Sequence, residues 1–140
     1  DRFVRELLDL ADRRLHGWAY WSYDPSGPTG WSPWNADTGQ DNPLAALLVR
    51  PYARRVTGEP TEHRFDPETG VFTLAFDLDT TVAGSTEVFL PPVPYGDGFA
   101  VTVDGQPDGA WSTSWAEDRR VLSLTGIPND GPHVLNVTPL

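Results

Sequence analysis

Val71-Phe72-Thr73-Leu74-Ala75-Phe76 places Phe72, Leu74 and Phe76 at alternate positions, the period-two spacing of a strand with one buried face. The preceding Asp66-Pro67-Glu68-Thr69-Gly70 has turn chemistry, with an Asx side chain, a Pro and a closing Gly. Moving outward, the same kind of run recurs. Residues 62–65 lie upstream. Ser85-Thr86-Glu87-Val88-Phe89-Leu90, Phe99-Ala100-Val101-Thr102-Val103, residues 110–115, Val121-Leu122-Ser123-Leu124 and His133-Val134-Leu135-Asn136-Val137 follow. Asp104-Gly105 and Asn129-Asp130-Gly131-Pro132 separate them. Roughly seven short strands with turns at this spacing predict an all-β unit, an antiparallel β-sandwich over residues 58–140.

Upstream the periodicity changes. Phe3, Val4, Leu7, Leu8, Ala11 and Leu15 line one face of a helix over residues 1–16, and Arg2, Arg5, Glu6, Asp9, Asp12 and Arg13 line the other. Gly17 follows where a left-handed C-terminal cap is wanted. Trp18-Ala19-Tyr20-Trp21-Ser22-Tyr23 then reads as a short buried strand. Its alternation sets Gly17, Ala19 and Trp21 on one face and Trp18 and Tyr20 on the other. Residues 25–40 form a long Pro-, Gly- and Ser-rich loop. Asp41-Asn42-Pro43 opens a second helix with an Asx cap and Pro at its first position. Leu44, Leu47 and Leu48 give that helix an apolar face, and Pro51 stops it. A helix–strand–helix unit over residues 1–57 therefore precedes the all-β unit. The link Thr57-Gly58-Glu59-Pro60 is too short and stiff for free tethering, so the two units are expected to pack together.

Composition excludes several functions. The chain has 140 residues and a formal net charge of −10, and its 10 basic residues are all Arg. An acidic surface repels phosphate backbones, so nucleic acid is not an expected partner, and electrostatic docking on anionic lipid is disfavoured as well. There is no Cys, hence no disulfide framework, thiolate metal site or thiol nucleophile. His16, His63 and His133 fall on three different elements, so no shared metal site and no cofactor are expected. No apolar run reaches bilayer-spanning length. The charged first residues are unlike a signal peptide, so any export signal is expected upstream.

Gly17-Trp18-Ala19-Tyr20-Trp21-Ser22-Tyr23 resembles the eighth barrel strand of glycoside hydrolase family 5, which ends in Trp-Ser. Leu48-Val49-Arg50-Pro51-Tyr52-Ala53-Arg54-Arg55-Val56-Thr57-Gly58 is similar to the segment joining barrel to sandwich in the endoglycoceramidase branch of that family. The resemblance implies the last β/α segment of a (β/α)8 TIM barrel followed by the sandwich, in a secreted retaining β-glycosidase that hydrolyses the glycan–ceramide linkage of glycosphingolipids. It implies a cis peptide bond at Trp21-Ser22 and places both catalytic glutamates upstream. The acidic residues agree: a retaining pair needs carboxyls about 5 Å apart, and Glu6, Glu59, Glu62, Glu68, Glu87 and Glu117 do not fall at barrel strand ends, where such chemistry is placed. No catalytic residue is expected in this chain, and alone it should be inactive.

The candidate substrate-binding residues are Trp21, Tyr23, Asp24, Trp31 and Trp34. An indole matches the C–H face of a pyranose, so Trp21 is read as a sugar platform, against an ordinary core Trp. Trp18 and Tyr20 are read as core. Tyr23 and Asp24 are placed to hydrogen-bond glycan hydroxyls, although an Asp-Pro turn accounts equally for Asp24. Trp31 and Trp34 either line the aglycone side, where exposed apolar groups also suit transient membrane-surface contact, or fold their loop onto the barrel. Expected partners are thus a glycolipid or oligosaccharide and the upstream barrel. Arg54-Arg55 reads as a solvated helix-end pair, and Asn136-Val137-Thr138 as an incidental sequon. Two alternatives stay open: another lipid-linked β-glucosidase of the family, acting on a steryl glucoside or a galactosylceramide, or a non-catalytic sandwich. In the second case Trp111 and Trp115, four apart on one strand face, would form a carbohydrate platform or the sandwich would be purely structural.

Overall fold

The computed structural model describes residues 2–23, 32–107 and 109–140. Helix α1 spans Arg2–Arg13. A small antiparallel hairpin follows, β1 (Trp34–Asn35) with β2 (Gln40–Asp41). The short helix α2 (Pro43–Leu48) comes next. The remaining strands are β3 (Tyr52–Arg55), β4 (Gly58–Phe65), β5 (Phe72–Leu78), β6 (Thr86–Phe89), β7 (Phe99–Val103), β8 (Ser112–Ala116), β9 (Val121–Thr125) and β10 (Gly131–Pro139), with a helical turn α3 (Pro92–Tyr95) before β7. They form two four-stranded sheets, ordered β4-β5-β10-β7 and β3-β6-β9-β8. Every pairing is antiparallel. Among the described residues no helix is long and apolar enough to cross a membrane.

The core lies between these sheets and follows the alternation in the sequence. Phe72, Leu74, Phe76 and Leu78 of β5 are buried, and they meet Leu135 and Val137 of β10, Val88 of β6 and Leu122 and Leu124 of β9 in one cluster. Burying side chains of this size contributes about 1.5–3 kcal/mol each, which makes this cluster the main source of stability. The Asp66 turn is built as its residues dictate. Asp66 Oδ1 accepts the Glu68 amide at 2.9 Å and Oδ2 the Thr69 hydroxyl at 2.8 Å. Gly70 closes it at φ 73°, where an added Cβ would lie 2.8 Å from Pro94 and 2.9 Å from Pro139. Glycine is required there both for its dihedral and for the space. The Tyr95 hydroxyl donates to the Gly70 carbonyl at 2.7 Å, and burial pushes the phenol pKa upward.

Three expectations are corrected. Helix α1 ends before Gly17, at a Schellman motif: Leu15, at φ 53°, takes the left-handed position, His16 donates its amide to Ala11 O at 2.9 Å and Leu15 to Asp12 O at 3.1 Å. Residues 18–23 enter no sheet among the described residues. A parallel strand has its backbone groups satisfied only by neighbours on either side, and no described segment supplies them. Arg54-Arg55 is not a helix end but part of β3, which pairs with β6. The second sheet therefore recruits residues ahead of position 58. Helix α2 forms as its residues indicate, with Asn42 Oδ1 accepting the Leu44 amide at 2.8 Å and Pro43 in the first turn.

Candidate functional site

Of the residues singled out for binding, Trp21, Tyr23 and Trp34 are described, and all three lie ahead of the sandwich strands. Tyr20 packs on Leu8, Leu44 and Leu47, so the face carrying Tyr20 turns toward the helices. Trp21 is 90% exposed. The Trp21-Ser22 peptide bond is cis, as the resemblance implies. Tyr23 is also exposed. Trp34 sits half-buried in β1, next to an ST-type bond in which Ser32 Oγ accepts its amide at 3.1 Å. Asp24 and Trp31 lie outside the described residues. Trp18, read as core, is 43% exposed, since nothing described covers its outer side.

Trp21 borders a cleft of about 440 Å³ lined by Phe3, Leu7, Leu10, Trp18 and Tyr20 among others. Among the described residues no Asp or Glu lines it. Its described lining offers aromatic and aliphatic surface, which suits the face of a sugar ring or an apolar group. The glutamates are spread over the molecule: Glu6 pairs with Arg2 on α1 at 2.7 Å, Glu68 with Arg5 at 3.8 Å, Glu59 and Glu62 lie on β4, and Glu87 lies on β6. Among the described residues no group of three His, Asp or Glu side chains is placed to hold a metal ion.

Behind this cleft the helical segment is bolted to the sandwich by groups whose pairing was not evident in the sequence. Asp12, expected on the polar face of α1, is buried, as is Arg50. The Arg50 guanidinium donates to Asp12 Oδ2 and to the Phe65 carbonyl at 3.3 Å, and its carbon lies 5.0 Å above the Phe65 ring centre. His63 Nδ1 is 3.3 Å from Asp12 Oδ1. Burial pushes the Asp12 carboxyl up, but the His63 hydrogen bond and the Arg50 charge outweigh it and hold the pKa below its ordinary value. Arg50 Nε has no hydrogen-bond partner among the described residues. These groups line a cavity of about 730 Å³, together with Leu15, Trp18 and Tyr52. The Arg50-Pro51-Tyr52 motif was the one available signal: its Arg reaches α1, its Pro ends the helical segment, and its Tyr starts β3 and stacks on Phe89 with centres 5.1 Å apart.

The platform reading of Trp111 and Trp115 is overturned. Both pack against the core cluster. Phe99 meets Trp115 edge-on at 5.0 Å, and Arg120 covers the Trp115 ring at 5.3 Å. Arg120 is pinned there by donating to the Leu90, Pro91 and Tyr95 carbonyls at 2.8, 3.3 and 3.2 Å. The outward face of β8 presents Ser112 and Ser114 instead.

Against this geometry, residues 50–137 match the family described as Glycoside hydrolase family 5 C-terminal domain. The chain belongs to this family. Endoglycoceramidase I of Rhodococcus hoagii is 33% identical over 102 residues, covering 73% of this chain and 19% of that protein. Endo-glycoceramidase II from Rhodococcus sp., solved as a ganglioside GM3 complex, aligns with 99% of this chain at 26% identity and a TM-score of 0.78, using 28% of its own length. Sterylglucosidase 1 of Cryptococcus neoformans shares the fold, with 18% identity, a TM-score of 0.76 and coverage of 97% of this chain and 23% of its own. The chain thus spans about a fifth of the curated relative and less than a third of these solved glycosidases. What it contributes to a family 5 glycosidase is a C-terminal, endoglycoceramidase-like part.

Proposed function

We propose that this chain is the C-terminal part of a secreted retaining β-glycosidase that hydrolyses the glycan–ceramide linkage of glycosphingolipids. Residues 1–51 complete its (β/α)8 barrel, and residues 52–140, from β3 onward, form the sandwich that braces it. The observation carrying this reading is the likeness over nearly the whole chain to an endo-glycoceramidase solved in complex with a ganglioside. The surface is consistent with it. Phe3, Leu7, Leu10, Trp18 and Trp21 are all exposed on the helical segment, and an apolar patch of this kind marks a face that meets another surface. In this reading the rest of the barrel covers α1 and pairs with residues 18–23, while Trp21 stays uncovered as the sugar platform. Tyr23 and Asp24 contact the glycan, and Trp31 and Trp34 lie toward the lipid. The catalytic acid/base and nucleophile come from upstream.

The test is an assay of the full-length protein on a fluorescent glycosphingolipid, with the anomer of the released oligosaccharide followed by NMR. Release of the intact glycan with retained configuration is expected. The isolated 140-residue chain should give none, and Trp21→Ala in the full-length protein should lower kcat/KM at least about tenfold, or about 1.4 kcal/mol in transition-state binding. A full-length protein that leaves glycosphingolipids intact overturns the substrate assignment, and turnover by the isolated chain overturns the upstream placement of the glutamates.

A further inference from the structure

The end of the sandwich where β10 begins carries a cluster that the glycosidase reading does not use. His133 stands opposite Phe76 in the β10–β5 register, so it shares the inner face of that sheet, with ring centres 6.3 Å apart. Its Nδ1 is 2.7 Å from Asp104 Oδ2 and its Nε2 is 2.8 Å from the Asn129 carbonyl oxygen. Both neighbours are pure acceptors once the carboxyl is ionised. A neutral imidazole has one N–H and serves only one of them, leaving a nitrogen lone pair facing an oxygen. The imidazolium donates to both. Asp104 Oδ1 in turn accepts the Val134 amide at 2.8 Å. With Asp104 at φ 53° and Gly105 at φ 77°, this carboxylate belongs to the turn that leaves β7. One cation therefore ties together the β7 turn, the β9–β10 link and the start of β10. No hydroxyl bonds either ring nitrogen among the described residues, so the pair is not a nucleophile-activating dyad.

The charges around the ring are mostly acidic. Asp104 faces it from the β7 turn, and Asp130 lies in its own link, accepting the Thr80 amide at 2.6 Å. On β5 and β4, Asp77 and Glu59 are register partners on the outer face, since Asp77 alternates with the buried Phe76 and Leu78. Asp79 follows β5 and is engaged by Thr81. On the facing sheet, Glu87 alternates with buried Thr86 and Val88 and points away from the core. Arg55, its register partner, donates to the Ala83 carbonyl.

We propose that His133 is a protonation-gated clasp, which as an imidazolium closes the β9–β10 link onto the β7 turn and as a neutral ring lets go of the Asn129 carbonyl. Burial pushes this imidazole pKa down, but the bonds to Asp104 and Asn129 and the Asp104 charge outweigh it and hold it above the ordinary value of 6.5. Asp104 is pushed up by desolvation and held below its ordinary value by His133 and the Val134 amide. For the raised group, stability is fully present below the ordinary His value and is lost as pH rises through the raised one. For the depressed carboxyl, stability is present above the ordinary Asp value and is lost as pH falls. The clasp is therefore closed in the mildly acidic window between the two.

Long-range 1H–15N NMR of the His133 ring, with amide protection factors for Thr80, which donates to Asp130 in the link, and Val134, tests this on the 140-residue chain. Both ring nitrogens should be protonated at pH 6, with a midpoint above 6.5 and a severalfold loss of protection at these two amides through the same midpoint. His133→Gln should abolish the pH dependence while β5 amides stay protected. Asp104→Asn, a second variant in case the first fails to fold, should lower the midpoint. A single protonated nitrogen at pH 6, or protection that does not follow the ring, overturns the proposal.

Discussion

The sandwich and the helical segment differ in where their apolar side chains end up. In the sandwich, Phe72, Leu74, Val88, Leu90, Leu135 and Val137 are buried between the two sheets, and each strand's inner face has a partner within the chain. In the helical segment the buried cluster is just Leu8, Leu44 and Leu47 among the described residues, while Phe3 is 65% and Trp21 90% exposed. The difference teaches that one unit closes its own core and the other presents an apolar face that the described chain does not close. The two are nevertheless joined by a buried ionic contact. That pairs a self-sufficient fold with a segment whose stability depends on what it touches.

The contrast can be broken first at the core. Phe72→Ala should destabilise the 140-residue chain by about 3–5 kcal/mol, the cost of deleting a fully buried ring, as read by urea denaturation. Phe3→Ser in the same chain should stay within about 0.5 kcal/mol. In the full-length protein it should cost more than about 1 kcal/mol, if the proposed barrel covers that face. Equal effects of Phe3→Ser in both would break the comparison.

Next comes the joint. Arg50→Met leaves the Asp12 carboxylate buried without its cation and should cost about 3 kcal/mol. Hydrogen exchange should place the loss first in α1 and only weakly in β5. Adding Asp12→Leu should recover most of it, because two apolar groups leave no charge unpaired. If the double variant is no better than the single one, the ionic pair is not what holds α1 to β4.

The smallest effect belongs to a helix end. Asn42→Ala removes the acceptor for the Leu44 amide and should cost about 1 kcal/mol, seen as faster exchange within α2. No measurable change would mean that packing of Leu44 and Leu47 alone sustains this helix.

Much was legible in the sequence, and the reasons are local. Alternation in residues 71–76 set which side chains of β5 face inward. Asp66 and Gly70 specified their own turn, since the Asp side chain bonds the amide two residues away and the hydroxyl three residues away and only Gly tolerates that dihedral and space. Asn42-Pro43 marked the start of α2 in the same way. These features depend on neighbours within a few residues, so a window of sequence contains the whole argument.

Other features were decided only in three dimensions, because their partners lie far away in the chain. Asp12 falls among charged residues of α1, yet Arg50 and His63 draw it into the interior, an arrangement set by 38 residues of separation in one case and by β4 geometry in the other. Arg54-Arg55 suit a helix end, yet they join a strand because β6 offers residues 52–55 an unpaired edge. Trp111 and Trp115 share a face, as their spacing requires, but which face is outward depends on the sheet that β8 joins. Sheet membership turns that pair inward, where Phe99 and Arg120 enclose Trp115. Periodicity fixes the faces of a strand; only the completed packing determines which face meets water.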